Sequence, residues 1–168
     1  MLSSILSRET CADCRFCCSF RRKSLWETPC FADEKIDELM SRDESVYKVS
    51  PKFESNRMKL DDCYKTDDSE EEVACFYLDR DKGCILSADD KPFDCSIWPL
   101  RVMKKKDSER LLITLTPTCP AIGPVVSEEL EQLVKSGLGD RIFSEAKKFP
   151  LMIKEYREGF PIIMETEE

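Results

Sequence analysis

The sequence has no histidine and only five glycines. Without histidine, the chain lacks the side chain that most often serves as a general base and as a nitrogen ligand to metals. So few glycines also exclude a glycine-rich loop of the kind that cradles nucleotide phosphates. Apolar runs are short, and none approaches the roughly 20 residues that a membrane-spanning helix needs. The sequence therefore offers no histidine base, no glycine-rich nucleotide-binding loop and no membrane segment to assign.

Charge and the N-terminal residues narrow the expected partners and compartment. Acidic residues outnumber basic ones by 34 to 26, a net charge of -8 at pH 7, which is unfavourable for binding a phosphate backbone. The first residues lack the basic start and the apolar core of about 7–15 residues that mark a secretory signal. No lipidation motif is present. We therefore expect a cytoplasmic protein that binds neither membranes nor nucleic acids.

Length and composition predict one small folded domain. The chain has 168 residues, of which 41% are hydrophobic, enough to bury a core. We expect a single α+β domain over residues 1–168, rich in loops and short strands and organised around metal bound by cysteine. The cysteine motifs would occupy about residues 11–123, and a helical C-terminal part about residues 124–168.

Hydrophobic spacing predicts the first elements of this domain. Residues 32–40 fit a short helix whose inward face includes Leu39 and Met40. Residues 75–78 fit a buried strand, and residues 101–115 fit a β-hairpin.

The C-terminal elements are predicted to be mainly helical. Ser127 is placed to cap a helix that stops near Gly137, and a second helix should follow and be interrupted at a proline. Helical structure is expected to resume at residues 151–156. The apolar tail, residues 160–164, is expected to pack against the rest of the protein.

Ten cysteines are the strongest functional signal in the sequence. So many cysteines indicate either a secreted disulfide scaffold or a set of intracellular metal ligands. Because the chain is expected to stay in the reducing cytoplasm, where structural disulfides rarely persist, metal binding is the favoured interpretation.

Four of the cysteines form one motif, and four others are candidates to complete it. Cys11, Cys14, Cys17 and Cys18 spell C-x-x-C-x-x-C-C, and two residues between cysteines let both thiolates reach one ion from a tight loop. Arg21 stands where the bacterial ferredoxin run would place its fourth cysteine, so the other ligands must be remote. The second half supplies them as Cys75, Cys84, Cys95 and Cys119.

These motifs resemble the CxxCxxCC family of zinc- or iron-chelating domains, the YkgJ-like cysteine-cluster proteins. That family's second block corresponds here to Cys75-Phe76-Tyr77-Leu78, Gly83-Cys84-Ile85 and Lys91-Pro92-Phe93-Asp94-Cys95-Ser96-Ile97-Trp98-Pro99, and a later element to Cys119-Pro120-Ala121-Ile122-Gly123. The resemblance covers about residues 11–123. Lys91 and Ser96 replace two arginines of the family pattern, so roles of those arginines do not carry over.

The resemblance implies metal chelation through cysteine, with zinc and an iron–sulfur cluster both open. It predicts eight metal ligands: Cys11, Cys14, Cys17, Cys18, Cys75, Cys84, Cys95 and Cys119. Cys30 and Cys63 lie outside the motifs and are expected to be small buried residues. The adjacent Cys17 and Cys18 are expected to diverge, so that they serve two metal centres or only one of them is a ligand.

Two catalytic alternatives stand beside metal binding. A thiol–disulfide exchange enzyme would use one of the C-x-x-C pairs, but that chemistry normally places the pair after a strand and at the start of a helix. Only ten residues precede Cys11, and they carry no strand signal. The second alternative is a protein-modifying enzyme or its accessory, because the flagellin lysine methylase carries a related cysteine block.

Overall fold

A computed structural model describes residues 2, 5–21, 26–42, 52–60, 72–79 and 81–167. It has the predicted α+β composition, with short strands and C-terminal helices. None of the helices in these ranges is long and apolar enough to cross a membrane. The chain forms two compact units, which we call the cysteine unit, Arg15–Cys95, and the sheet unit, Met1–Cys14 with Ser96–Glu168. The prediction of one domain over residues 1–168 stays a prediction.

The elements are as follows in chain order. The helices of the described ranges are α1 Arg8–Cys14, α2 Asp33–Met40, α3 Phe93–Ser96, α4 Glu128–Leu133 and α5 Gly139–Lys148. The strands are β1 Ser19–Phe20, β2 Phe53–Glu54, β3 Arg57–Met58, β4 Val73–Ala74, β5 Leu78–Asp79, β6 Gly83–Cys84, β7 Leu100–Lys104, β8 Leu111–Leu115, β9 Lys154–Glu155 and β10 Ile162–Glu165. Short 3₁₀ turns occur at Phe16–Cys18 and Pro150–Met152.

A four-stranded sheet forms the core of the sheet unit, with the strand order β10-β8-β7-β9. The predicted hairpin is confirmed, since β7 and β8 pair antiparallel from Leu100 opposite Leu115 to Lys104 opposite Leu111. Every residue of β8 is buried, as expected for a strand covered on both faces. The continuous apolar run is therefore what fixes this strand at the centre of the sheet.

The two edge strands come from the end of the chain. The apolar tail docks as predicted, because β10 pairs antiparallel with β8. The helix predicted for residues 151–156 is wrong: only the turn Pro150–Met152 is helical, and β9 then pairs parallel with β7. The N–H of Tyr156 extends this edge by donating to the carbonyl of Lys104 at 2.9 Å. Backbone pairing with β7 thus overrides the local preference for helix.

The two C-terminal helices of the sheet unit, α4 and α5, begin and end close to the residues that the sequence indicates. Ser127 caps α4, since its Oγ accepts a hydrogen bond from the Leu130 N–H at 3.2 Å. Gly137 has φ 116°, a left-handed conformation that interrupts the helix before α5 begins. The buried faces are formed by Leu130, Val134, Ile142, Phe143 and Ala146.

The cysteine unit is built from paired strands of only two residues. β1 pairs with β4, β2 with β3, and β5 with β6, all antiparallel. Apolar packing gathers these pairs around one core, whose deeply buried members include Phe20, Phe31, Leu39, Met58 and Tyr77.

Two sequence predictions need correction in this unit. The helix at residues 32–40 is confirmed as α2, with Leu39 buried, but Met40 is 52% exposed because it is the last helical residue and faces away from the core. Residues 75–78 are buried as expected but do not form one strand. Phe76 and Tyr77 make a tight turn between β4 and β5, so burial came from the turn packing inward.

An ion-pair network fixes the end of α2 to the loop before α3. The Asp90 carboxylate accepts from both Nη atoms of Arg42, at 2.9 and 2.7 Å, and from the Ser87 Oγ at 2.7 Å. Lys35 lies 3.4 Å from the same carboxylate. The Arg42 guanidinium, helped by the Ser87 hydroxyl, holds the pKa of Asp90 well below its usual range. The network therefore stabilises the ionised form of Asp90.

Candidate metal centre

The first half of the C-x-x-C-x-x-C-C motif is helical. Cys11 and Cys14 lie in α1, where a separation of three residues puts both side chains on the same side of the helix. The Ser7 Oγ accepts a hydrogen bond from the Thr10 N–H at 3.0 Å at the start of this helix. The predicted tight loop is therefore wrong at this position, but the Cys11 and Cys14 side chains still lie on the same side of the backbone.

The second half of the motif turns away from α1 at Arg15. Arg15 has φ 54°, a left-handed conformation that ends the helix. The Cys18 N–H then donates to the Arg15 carbonyl at 3.1 Å and closes the turn Phe16–Cys18.

This turn brings the sulfur atoms of Cys17 and Cys18 to within 4.0 Å of each other. The expectation that the two side chains diverge is therefore wrong, because the tight 3₁₀ geometry turns both toward the same side. Two thiolates about 2.3 Å from one tetrahedral zinc lie about 3.8 Å apart. The pair is thus close to the spacing that a single ion requires.

Strand pairing places Cys75 beside the motif. Ser19 and Ala74 are opposite each other in the β1–β4 pair, and the Cys75 N–H donates to the Cys18 carbonyl at 2.8 Å. The Cys75 thiol is buried in the core, where it donates to the Met58 Sδ at 3.6 Å. The backbone of Cys75 therefore reaches the motif while its thiol contacts a core thioether.

A hairpin and a short helix position Cys84 and Cys95. Cys84 is opposite Leu78 in the β5–β6 pair, and the preceding Gly83 has the left-handed φ of 75° that this turn requires. Cys95 lies in α3, and its N–H donates to the Pro92 carbonyl at 3.0 Å. Cys84 is half-buried, and Cys95 is exposed as a residue although its sulfur is surrounded by protein atoms.

The cysteines of this unit influence one another electrostatically. A hydrogen bond with Cys17, burial and neighbouring thiol charges raise the pKa of the Cys18 thiol well above its usual range. Burial of the thiol within the surrounding protein, followed by nearby negative charges, likewise raises the pKa of Cys95. The charges that act on Cys95 belong to Cys75, Cys17, Asp94 and Cys84. Burial and neighbouring negative charges disfavour the ionised form of these two thiols. A cation bound beside them would therefore stabilise their thiolates.

Five of the eight predicted ligands, Cys17, Cys18, Cys75, Cys84 and Cys95, lie in the cysteine unit. The other three, Cys11, Cys14 and Cys119, belong to the sheet unit. Within the described ranges, no group of three or more histidine, cysteine, aspartate or glutamate side chains lies close enough to hold a metal ion. No disulfide joins any two of the nine cysteines described.

Cys30 and Cys63 are the two cysteines outside the motifs. Cys30 is buried, as predicted, with 4% of its surface exposed. Its backbone bridges to Arg57. Cys63 lies outside the described residues.

Sequence reasoning missed two residues at this site. Asp94 is quoted in the family block without a role, yet its carboxylate is 3% exposed and accepts a hydrogen bond from the Cys30 N–H at 3.2 Å. The Sδ of Met58 accepts the hydrogen bond that the Cys75 thiol donates. The position of Asp94 directly before a motif cysteine could have indicated its role. Nothing in the sequence indicated the contact made by Met58.

Comparison with known proteins adds no relative. No family model matches the chain, and neither the curated proteins nor the solved structures give a significant match.

Proposed function

We propose that this protein is a cytoplasmic metal-binding protein that chelates zinc or iron through the thiolates of its cysteine unit. The observation that supports the proposal is that five of the predicted ligands lie in one compact unit, in which the Cys17 and Cys18 sulfurs are 4.0 Å apart. β1–β4 pairing joins the motif to Cys75, while the β5–β6 hairpin and α3 present Cys84 and Cys95.

The donor set fits a thiophilic metal, and one pair has suitable spacing. Sulfur ligands favour zinc and iron–sulfur centres over the hard cations magnesium and calcium. The Cys17 and Cys18 sulfurs are separated by 4.0 Å, close to the zinc value given above. Cys84 and Cys95, which are less buried than Cys75, would provide the next two thiolates.

Closing such a set requires the remaining thiols to move toward the Cys17–Cys18 pair. Because the ligands would not be fully assembled beforehand, the free energy of metal binding would contribute to folding of the cysteine unit. A bound zinc would supply a structural cross-link, whereas an iron–sulfur cluster would supply electron transfer. In either case the role of the protein is to deliver thiolates from three separate backbone elements.

Metal analysis of anaerobically purified protein, with its visible spectrum, tests the proposal. We expect tightly bound zinc in a colourless protein or iron in a coloured one. Cys95→Ser should lower the metal content, and so should Cys14→Ser if the sheet-unit cysteines also contribute.

Cys30→Ser is the matched control, since Cys30 lies in the same unit but its thiol is predicted not to bind metal; Cys63→Ser is a second. Both should keep the wild-type metal content. A folded, metal-free wild type with its cysteines in disulfides would refute the proposal. Loss of metal from Cys30→Ser with retention in Cys95→Ser would refute the assignment of ligands.

A further inference from the structure

Asp94 is a buried carboxylate next to a candidate ligand. Its exposed fraction is 3%, and removing a carboxylate from water is costly unless hydrogen bonds compensate. The Cys30 N–H supplies one such bond at 3.2 Å, from a segment 64 residues earlier in the chain. Asp94 therefore joins α3 to a distant part of the cysteine unit.

The segment that Asp94 holds is itself firmly fixed. Cys30 forms a backbone bridge to Arg57, whose Nη1 donates to the Thr28 carbonyl at 2.9 Å. The Phe31 N–H donates to the Asn56 carbonyl at 2.8 Å, and Phe31 is packed in the core. The Cys30 amide is consequently a rigid anchor point.

Helix α3, in contrast, has only four residues. One turn of helix is too short to be stable on its own, so its orientation depends on contacts with the rest of the unit. Cys95 directly follows Asp94, and a shift of α3 would move the Cys95 thiol with it.

We propose that Asp94 positions Cys95 for metal binding by anchoring α3 to the Cys30 amide. This inference rests on the proposed metal-binding function. Outer hydrogen bonds that orient metal ligands typically change metal affinity by about 10–100-fold when removed. We expect an effect of this size because, without the anchor, α3 would be less ordered before binding and metal would have to order the Cys95 thiolate as well.

The test measures Zn²⁺ affinity of the full chain under anaerobic conditions, by competition with a chromophoric chelator. Asp94→Ala, which removes the acceptor, should weaken Zn²⁺ binding about 10–100-fold. Asp94→Asn keeps an oxygen acceptor for the Cys30 amide and should remain within roughly threefold of the wild type. The Co²⁺-loaded Asp94→Ala protein should lose thiolate charge-transfer absorption, as Cys95→Ser should.

Asp90→Ala is the matched control, because Asp90 is four residues earlier and anchors the Arg42 network instead. It should lower the stability of the metal-free cysteine unit without releasing α3 from the Cys30 amide, so any loss of Zn²⁺ affinity that it causes measures general destabilisation, and the loss in Asp94→Ala should be larger. If Asp94→Ala does not fold, Asp94→Glu, whose longer side chain displaces the carboxylate, should still weaken binding several-fold. Unchanged affinity in Asp94→Ala or Asp94→Glu, or equal losses in Asp94→Asn and Asp94→Ala, would overturn the inference. A wild type that binds no metal would instead overturn the proposed function.

Discussion

The two units of this protein reach a folded state by different means. In the sheet unit, five-residue strands β7 and β8 form a continuous ladder and α5 adds a buried face of four residues. In the cysteine unit each strand has two residues, too short for a stable hairpin in water. The contrast indicates that backbone pairing is a main source of order in the sheet unit, whereas the cysteine unit depends on side-chain contacts.

Those side-chain contacts are of two kinds in the described part of the cysteine unit. Aromatic packing joins Phe31 to Phe53, with ring centroids 5.0 Å apart, and to Tyr77 at 6.2 Å. The Asp90 network fixes α2 from outside. The proposed thiolate–metal bonds would be a further kind of side-chain contact in this unit.

Metal removal should have the largest effect on stability, and that effect should differ between the two units. Chelation under anaerobic conditions is expected to destabilise the cysteine unit, since structural zinc is worth about 10 kcal/mol or more in small domains. The amide of Cys75, bonded to Cys18, should lose hydrogen-exchange protection, while that of Leu115, bonded to Pro161, should keep it. Equal loss of protection at both amides would show that the units unfold together and would break the comparison.

A pair of identical truncations should have the next largest effect. Leu39 in the cysteine unit and Leu130 in the sheet unit are both completely buried, so Leu39→Ala and Leu130→Ala should each cost about 2–5 kcal/mol. Urea unfolding with and without metal measures the difference. In the metal-loaded protein Leu39→Ala should lower the protection of the Cys75 amide and spare that of Leu115, and Leu130→Ala should do the reverse.

Loss of the Asp90 charge should have the smallest effect. Because Arg42 lowers the pKa of folded Asp90, its stabilisation is complete above the unfolded carboxyl pKa of about 3.9 and is lost as the pH falls toward the lower folded pKa. Asp90→Asn should cost about 1 kcal/mol at pH 7, and the difference from wild type should shrink below about pH 4. Urea midpoints across this range test it, with the exposed neighbour variant Asp89→Asn expected to match the wild type. A constant difference at all pH values would contradict the assignment.

The same contrast explains how far the sequence could predict the structure. β8 was recognisable because four apolar residues in a run of five, with β-branched Ile113 and Thr114, are typical of a buried strand. Ser127 was recognisable because a capping hydroxyl acts on its own helix. Residues 75–78 were equally apolar but form a turn, since two-residue strands leave no periodicity to detect. β9 was missed because its partner β7 lies about fifty residues away, and local pattern carries no information on such pairing.

The candidate site, too, was predictable only in part. The cysteines were identified by spacing, but spacing could not tell that the turn after Arg15 brings Cys17 and Cys18 together. It also could not tell that the Cys75 thiol contacts Met58, because that contact depends on how β3 and β4 pack in the core. Residue type identified the chemistry, and tertiary packing determined which groups can meet.

The order of the units along the chain has a consequence for synthesis. The cysteine unit ends at Cys95, before any strand of the four-stranded sheet has been translated. At about 5–20 residues per second, the ribosome needs roughly 4–15 s to add residues 96–168. During that interval the thiols of the cysteine unit are already made while the sheet cannot yet form. Nascent chains would therefore encounter metal first and complete their sheet afterwards, when β10 finally joins β8.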